Sequence, residues 1–428
     1  MNLLKKYFRT SVIAVILSSL FSVSFVSQAA ADGITWTSRT PAADNDWQSV
    51  TYGNGLFVAV SDNEVGNISN RVMTSPDGIT WTARTAAANN YWMSVAYGNG
   101  LFVAVSVTGT GNRVMTSPDG ITWTSRASAA DNSWNSVAYG NGLWVAVSNS
   151  VVGDISDRVM TSPDGITWTS RTAAANSNWN SVAYGNGLFV AVSTSNGTGN
   201  QLMTSPDGIT WTIRTSAADN VWRSVAYGNG LWVAVGSSGT GNRVMTSPDG
   251  ITWTSRTSAA NNSWWSVTYG NGLFVAVSID GTGNRVMTSS DGITWTSRTS
   301  AADITWLSVT YGDGLFVAVD ETGTGNRVMT SGVIGLAART TAAAAEAARV
   351  AAANAEAARV AAANMAADAA KKQKELTELL SVIPSIAGLS LNIGDLTNSL
   401  LLKQKCVKGR TIKYVKKGAK CPKGFVRK

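Results

Sequence analysis

The chain has 428 residues, 44% of them hydrophobic, which is more than an ordinary single domain and ample for a core. It has no histidine and two cysteines, too few soft ligands for a structural zinc site. The net charge of +8 is uneven: eleven Lys and Arg and no acid lie from Lys403 to the end, so the high pI belongs to the tail.

In chain order, the amino end reads as a secretory signal over 1–31. Lys5, Lys6 and Arg9 precede an apolar run from Val12 to Val26 and small residues through Ala31. Cleavage after Ala29 or Ala31 fits equally well, and the expected location is secreted or cell-surface associated. From residue 32 to 335 a unit recurs. Ser-Pro-Asp-Gly-Ile-Thr-Trp-Thr stands complete at Ser75 to Thr82, and its Asp falls at Asp32, Asp77, Asp119, Asp164, Asp207, Asp249 and Asp291. Seven copies at a period of 42 to 45 residues announce a repeat architecture.

Each unit predicts four strands, for example Trp92 to Tyr97, Leu101 to Ser106, Arg113 to Ser117 and Ile121 to Arg126. Gly98-Asn99-Gly100 turns the first pair, because glycine and asparagine accept positive φ. Ser117-Pro118-Asp119-Gly120 turns the second pair as a type I turn. Four antiparallel strands in about 42 residues is a propeller blade, so the expected fold is an all-β, seven-bladed β-propeller of four-stranded blades. The first strand, Ile34 to Thr40, stands alone and the last unit supplies only three, which predicts that Ile34 to Thr40 pairs with Arg327 to Ser331 and closes the ring.

Ser-Pro-Asp-Gly-Ile-Thr-Trp resembles the Asp-box, or BNR, repeat of sialidase-like propellers, with one departure: Asp is followed directly by Gly. The resemblance implies the same turn between the third and fourth blade strands. It also raises a sialidase-type exo-glycosidase, whose relatives use an arginine triad, a Tyr/Glu nucleophile pair and an acidic proton donor on diverged blades. Here the arginines form rings instead: Arg39, Arg84, Arg126, Arg171, Arg214, Arg256 and Arg298 at one repeat position, and Arg71, Arg113, Arg158, Arg243, Arg285 and Arg327 at another. No unique catalytic constellation stands out, so no catalytic residue is assigned.

Beyond the propeller, 336–383 is alanine-rich and repeats Glu-Ala-Ala-Arg-Val-Ala-Ala-Ala-Asn from Glu346 and from Glu356. Alanine propensity predicts one long α-helix there, a stalk open to self-association. An apolar linker over 384–402 follows, then a basic tail over 403–428 with Cys406 and Cys421. An exported chain with one close cysteine pair suggests a disulfide. The tail is similar to short Cys-Val-Lys-Gly and Cys-Pro-Lys-Gly tails of exported actinobacterial proteins. Its expected partner is an anionic envelope polymer or lipid headgroups.

Functional positions are sought where the repeats disagree. The Asp of each turn (Asp77, Asp119, Asp164, Asp207, Asp249 and Asp291) and the tryptophans Trp81, Trp123 and Trp168 read as structural. The second residue of Trp-x-Ser-Val is Gln48, Met93, Asn135, Asn180, Arg223, Trp265 and Leu307, six residue types in seven units. Strand alternation puts these positions on one face of the disc with the variable loops, the arrangement of a rigid scaffold presenting a binding surface. The bland alternative is drift at exposed positions. The expectation is a noncatalytic recognition or adhesion module binding glycan or protein there, or an assembly factor gripping a protein partner. Neither a cofactor nor a specific nucleic acid is expected. The Asp/Asn-rich loops at Asp62 to Asn70 and Asn149 to Asp157 lack an EF-hand spacing, so no metal is assigned.

Overall fold

The structure, a computed structural model, describes residues 33–62, 68–149, 155–194, 201–331, 373–374, 403–408, 411–416, 420–423 and 425–427. The signal over 1–31 and the linker over 384–402 lie outside them. The described residues fall in two units, a repeat unit and a tail unit.

The repeat unit contains seven four-stranded antiparallel sheets. The first blade runs Trp47–Gly53, Leu56–Ser61, Val72–Ser75 and Thr82–Arg84, paired in sequence order. The next five repeat that pattern. In the seventh, Trp306–Gly312, Leu315–Asp320 and Val328–Ser331 are completed by Trp36–Arg39, with Trp36 opposite Ser331 and Arg39 opposite Val328. The two ends of the repeat region thus share one blade, as the orphan first strand predicted.

Further bonds join the two ends. Arg39 Nε donates to Thr330 Oγ1 at 3.0 Å, Gly325 N–H donates to Asp44 Oδ1 at 2.7 Å, and the Arg327 guanidinium pairs with Asp46 at 2.7 Å.

Local geometry follows from residue type. Asn54 and Gly55 carry φ of 50° and 74°, both in the left-handed region, as a two-residue hairpin turn between twisted strands demands. The other blades repeat this, with Asp313 in the Asn position of the seventh. The glycine ending each first strand serves contact instead: a Cβ on Gly140 would lie 1.9 Å from the Tyr184 ring, and one on Gly312 would lie 2.1 Å from Tyr52. That packing also runs from the seventh blade to the first.

The core lies between blades. Trp47, Phe57, Met73 and Trp81 of the first blade pack with Val317, Val319 and Val328 of the seventh, and each later joint repeats the set. Because neighbouring blades cover both faces of a sheet, the second strand is apolar along its length: Phe57 to Val60 are fully buried.

The tail unit is a three-stranded sheet with Lys403–Lys408 between Thr411–Lys416 and Val426–Arg427. Cys406 and Cys421 are joined as a disulfide, with Cα atoms 5.7 Å apart. The Lys413 ammonium sits 5.6 Å from the centre of the Phe425 ring.

The long Ala-rich helix expected over 336–383 is corrected. No α-helix of any length lies among the described residues, which hold two 3-10 turns at Ile68–Asn70 and Ile155–Asp157 and two helical residues, Gln373 and Lys374. Of the expected stalk, all but Gln373 and Lys374 lie outside the described residues. The expectation rested on alanine propensity and on Glu346 with Arg349 and Glu356 with Arg359 at helical spacing. Helices in proteins draw most of their stability from packing an apolar face. The isolated Val350, Val360 and Met365 provide no such stripe.

Candidate functional site

Each first strand departs from regular pairing at one place. Trp47 pairs with Ser61, but two residues on Ser49 pairs with Val60, so Gln48 is an extra residue in a β-bulge. The same shift recurs around Met93, Asn135, Asn180, Arg223, Trp265 and Leu307. A regular strand sends successive side chains to opposite faces. Here the bulge residue and the serine after it both face one cavity, while the Trp before them and the Val after them stay buried in the blade joints.

The serines lock the ring. The Val95 N–H donates to Ser49 Oγ of the preceding blade at 3.2 Å. Five more such bonds follow in order, and Val50 N–H to Ser308 Oγ at 3.1 Å closes the circle. A cavity of about 510 Å³ results, lined by all seven serines and all seven variable residues, with Asp62, Val107, Ser133 and Asn149 from nearby loops. The structure therefore gathers Gln48, Met93, Asn135, Asn180, Arg223, Trp265 and Leu307 at one place.

The lining is not uniform. Asn135 Nδ2 donates to Asn180 Oδ1 at 3.0 Å, and Asn180 Nδ2 donates to the Arg223 carbonyl at 2.7 Å. The Arg223 guanidinium lies 3.9 Å from the centre of the Trp265 ring, and its Nε donates to Ser237 Oγ at 3.1 Å. Three blades further round, the Gln48 amide donates to Asp62 Oδ1 at 3.0 Å and reaches Glu321 Oε2 at 3.5 Å. Burial pushes the Asp62 carboxyl up to about 6 and raises Glu321 as well. Leu307 is covered, at 6% exposure. The cavity thus has a cationic, aromatic and amide arc and, across from it, an acidic one. Sequence reasoning missed Asp62 and Glu321 as rim acids; nothing in their loops sets them apart until the first and seventh blades are joined.

The residues read as structural stay in the scaffold. Asp119 Oδ1 accepts the Ile121 and Thr122 N–H groups at 2.9 and 2.8 Å, and Trp123 Nε1 donates to the Gly120 carbonyl. Asp77, Asp164, Asp207, Asp249 and Asp291 do the same. In the outer arginine ring each Nε donates to a third-strand threonine, as Arg84 does to Thr74 at 3.0 Å. The other ring reaches loop carbonyls: Arg113 donates to Gly109 and Val107, and Arg158 to Ser177. None of these arginines lines the cavity. Among the described residues no group of three or more acids or cysteines is placed to hold a metal, and no helix is long and apolar enough to cross a membrane.

No family model and no curated protein matches this chain. Solved structures do match. YCF48 from Cyanidioschyzon merolae aligns with a TM-score of 0.51 at 13% identity, covering 69% of this chain and 98% of its own. A structure of YCF48 bound to D1 peptide aligns at 0.52 and 16% identity, covering 72% of this chain and all of the other. At such identity the likeness establishes the propeller fold.

Proposed function

We propose that the propeller is a noncatalytic recognition module of an exported chain, and that the axial cavity receives a peptide segment of a protein partner. One observation carries this: seven residues of six types, each displayed by its own β-bulge, converge on one cavity in a ring that otherwise repeats almost without change. Its volume falls within the roughly 300–1,000 Å³ of ordinary ligand sites. Amides, one cation, one aromatic and an aliphatic side chain suit peptide groups better than sugar rings, which ask for stacked aromatic platforms. A propeller of the same fold is bound to a peptide. The noncatalytic part of the reading is supported by the arginine rings, which are engaged in blade and loop bonds away from the cavity.

The test places the full chain on a peptide array and a glycan array side by side, together with a fluorogenic sialoside assay. Peptide binding that falls at least tenfold with Trp265→Ala is expected. Binding confined to glycans, or turnover of the sialoside, overturns the proposal.

A further inference from the structure

We propose that Arg223 seats a carboxylate, so that the peptide taken by the cavity carries a free carboxyl group; this rests on the peptide reading above. Arg223 is the one arginine among the residues lining the cavity. Among the described residues Arg113, Arg285 and Arg327 each pair with an aspartate, and Arg71, Arg158 and Arg243 are held by backbone carbonyls, whereas Arg223 joins no ion pair and its guanidinium donates to no carbonyl. A half-buried cation with no counter-ion is a costly arrangement, and an incoming anion relieves it.

The geometry also preorganises the group. Trp265 lies against the guanidinium and Ser237 engages Nε, so among the described residues the two terminal nitrogens remain as the edge, the fork that matches a carboxylate bidentately. The Trp face limits the rotamers, so less entropy is lost on binding.

Two neighbouring blades supply a second point. The orientation of the Asn180 amide is set by its bond to the Arg223 carbonyl, which can only accept, and Asn180 in turn sets Asn135. That chain leaves Asn135 Oδ1 buried and, among the described residues, with no partner, on a residue that lines the cavity. It has no accessible surface in the free ring, so a peptide N–H reaches it only once the Asn135 side chain shifts toward the cavity. Three blades round from Arg223, Asp62 lines the cavity, with Glu321 on the same Gln48 amide, and their charge disfavours a carboxylate there. The carboxylate can come from a chain end or from an Asp or Glu side chain. Both have the same chemistry at Arg223.

The experiment uses the full chain with 15N-labelled tryptophan and reads the Trp265 indole N–H, identified with Trp265→Phe. Three N-acetylated octapeptides of Ala, Ser and Tyr are titrated: one with a free terminal carboxylate, its amide, and the amide with one central Glu. At least one carboxylate peptide is expected to shift the resonance saturably and at least tenfold more tightly than the plain amide. Arg223→Gln is expected to bring it down to the amide's level. Tighter binding of the free end identifies a chain terminus as the source, and tighter binding of the Glu peptide a side chain. Asn135→Leu is expected to weaken all binders by a similar factor and leave the carboxylate preference intact. Equal binding of all three peptides overturns the carboxylate proposal and keeps the peptide reading. No saturable shift from any peptide at millimolar concentration overturns both.

Discussion

Asp249 shows how little of the most repeated residue is free for function. Its Oδ1 accepts the Ile251 and Thr252 N–H groups, both at 2.8 Å, and the Ser247 hydroxyl at 2.9 Å. Hydrogen bonds to a charged group contribute roughly 1.5–3 kcal/mol, less at a solvated surface. Asp249→Ala is therefore expected to cost about 1 kcal/mol in urea unfolding while leaving peptide binding at the cavity unchanged. A loss of binding with unchanged stability would place the turn in the site instead. The variable residues were legible for the converse reason: in a ring of near-identical units, disagreement marks a position released from scaffold duty. What the sequence could not reveal is the bulge. Trp-x-Ser-Val reads as an alternating strand, and only the register shift sends both x and Ser toward the axis. The bonds among Asn135, Asn180 and Arg223 were hidden too, since residues 43 to 45 apart meet only once the blades are arranged.

Among elements, the closing strand decides whether the ring holds. Trp36 is 8% exposed and packs with Val275, Val277, Trp306 and Phe316 across the joint between the sixth and seventh blades. Trp123 fills the same place between the first and second blades, with Val58, Val60, Trp92 and Phe102. Large-to-small changes at such sites cost roughly 3–5 kcal/mol. Trp36→Ala is expected to match Trp123→Ala within about 1 kcal/mol in guanidinium unfolding, because the joint beside the closing strand is packed like an internal one. A much smaller loss at Trp36 would mean that the end strand adds little to closure. Strand number and closure were readable because Asn-Gly and Pro-Asp-Gly turns punctuate the units. Strand ends were not. Thr124–Arg126 is shorter than expected because Ile121 and Thr122 fold around the Asp119 carboxylate. Val114–Ser117 starts one residue late, although the Arg113 carbonyl still accepts the Ser106 N–H, and the blade with Gln201 in place of that arginine starts its strand at the same position, Leu202. The Ala-rich segment gave a helix signal of propensity without an apolar stripe, and all of it but Gln373 and Lys374 lies outside the described residues.

For the whole molecule, the shifted acids make stability depend on pH in two opposite senses. Asp164, Asp207, Asp249 and Asp291 are held low by the threonine N–H groups they accept, Asp291 to about 2. A depressed carboxyl adds stability that is fully present above its unfolded value near 4 and is lost as the pH falls through the folded value. Burial does the reverse to Asp62 and Asp320, both raised to about 6. There the folded state takes up protons first, so stability rises as the pH is lowered from about 7 toward 4. The melting temperature is thus expected to peak between about pH 4 and 5 and to fall on either side. Asp320 is the sharper half of the test. It stands where most blades carry serine, it is fully buried, and its Oδ1 accepts the Thr322 and Gly323 N–H groups while Oδ2 has no hydrogen-bond partner among the described residues. Asp320→Asn keeps the acceptor and removes the charge. It is expected to stabilise the protein at pH 7 by about 1–2 kcal/mol and to flatten the rise between pH 7 and 5. Destabilisation at pH 7, with the pH profile unchanged, would show that the Asp320 charge is compensated in the folded ring.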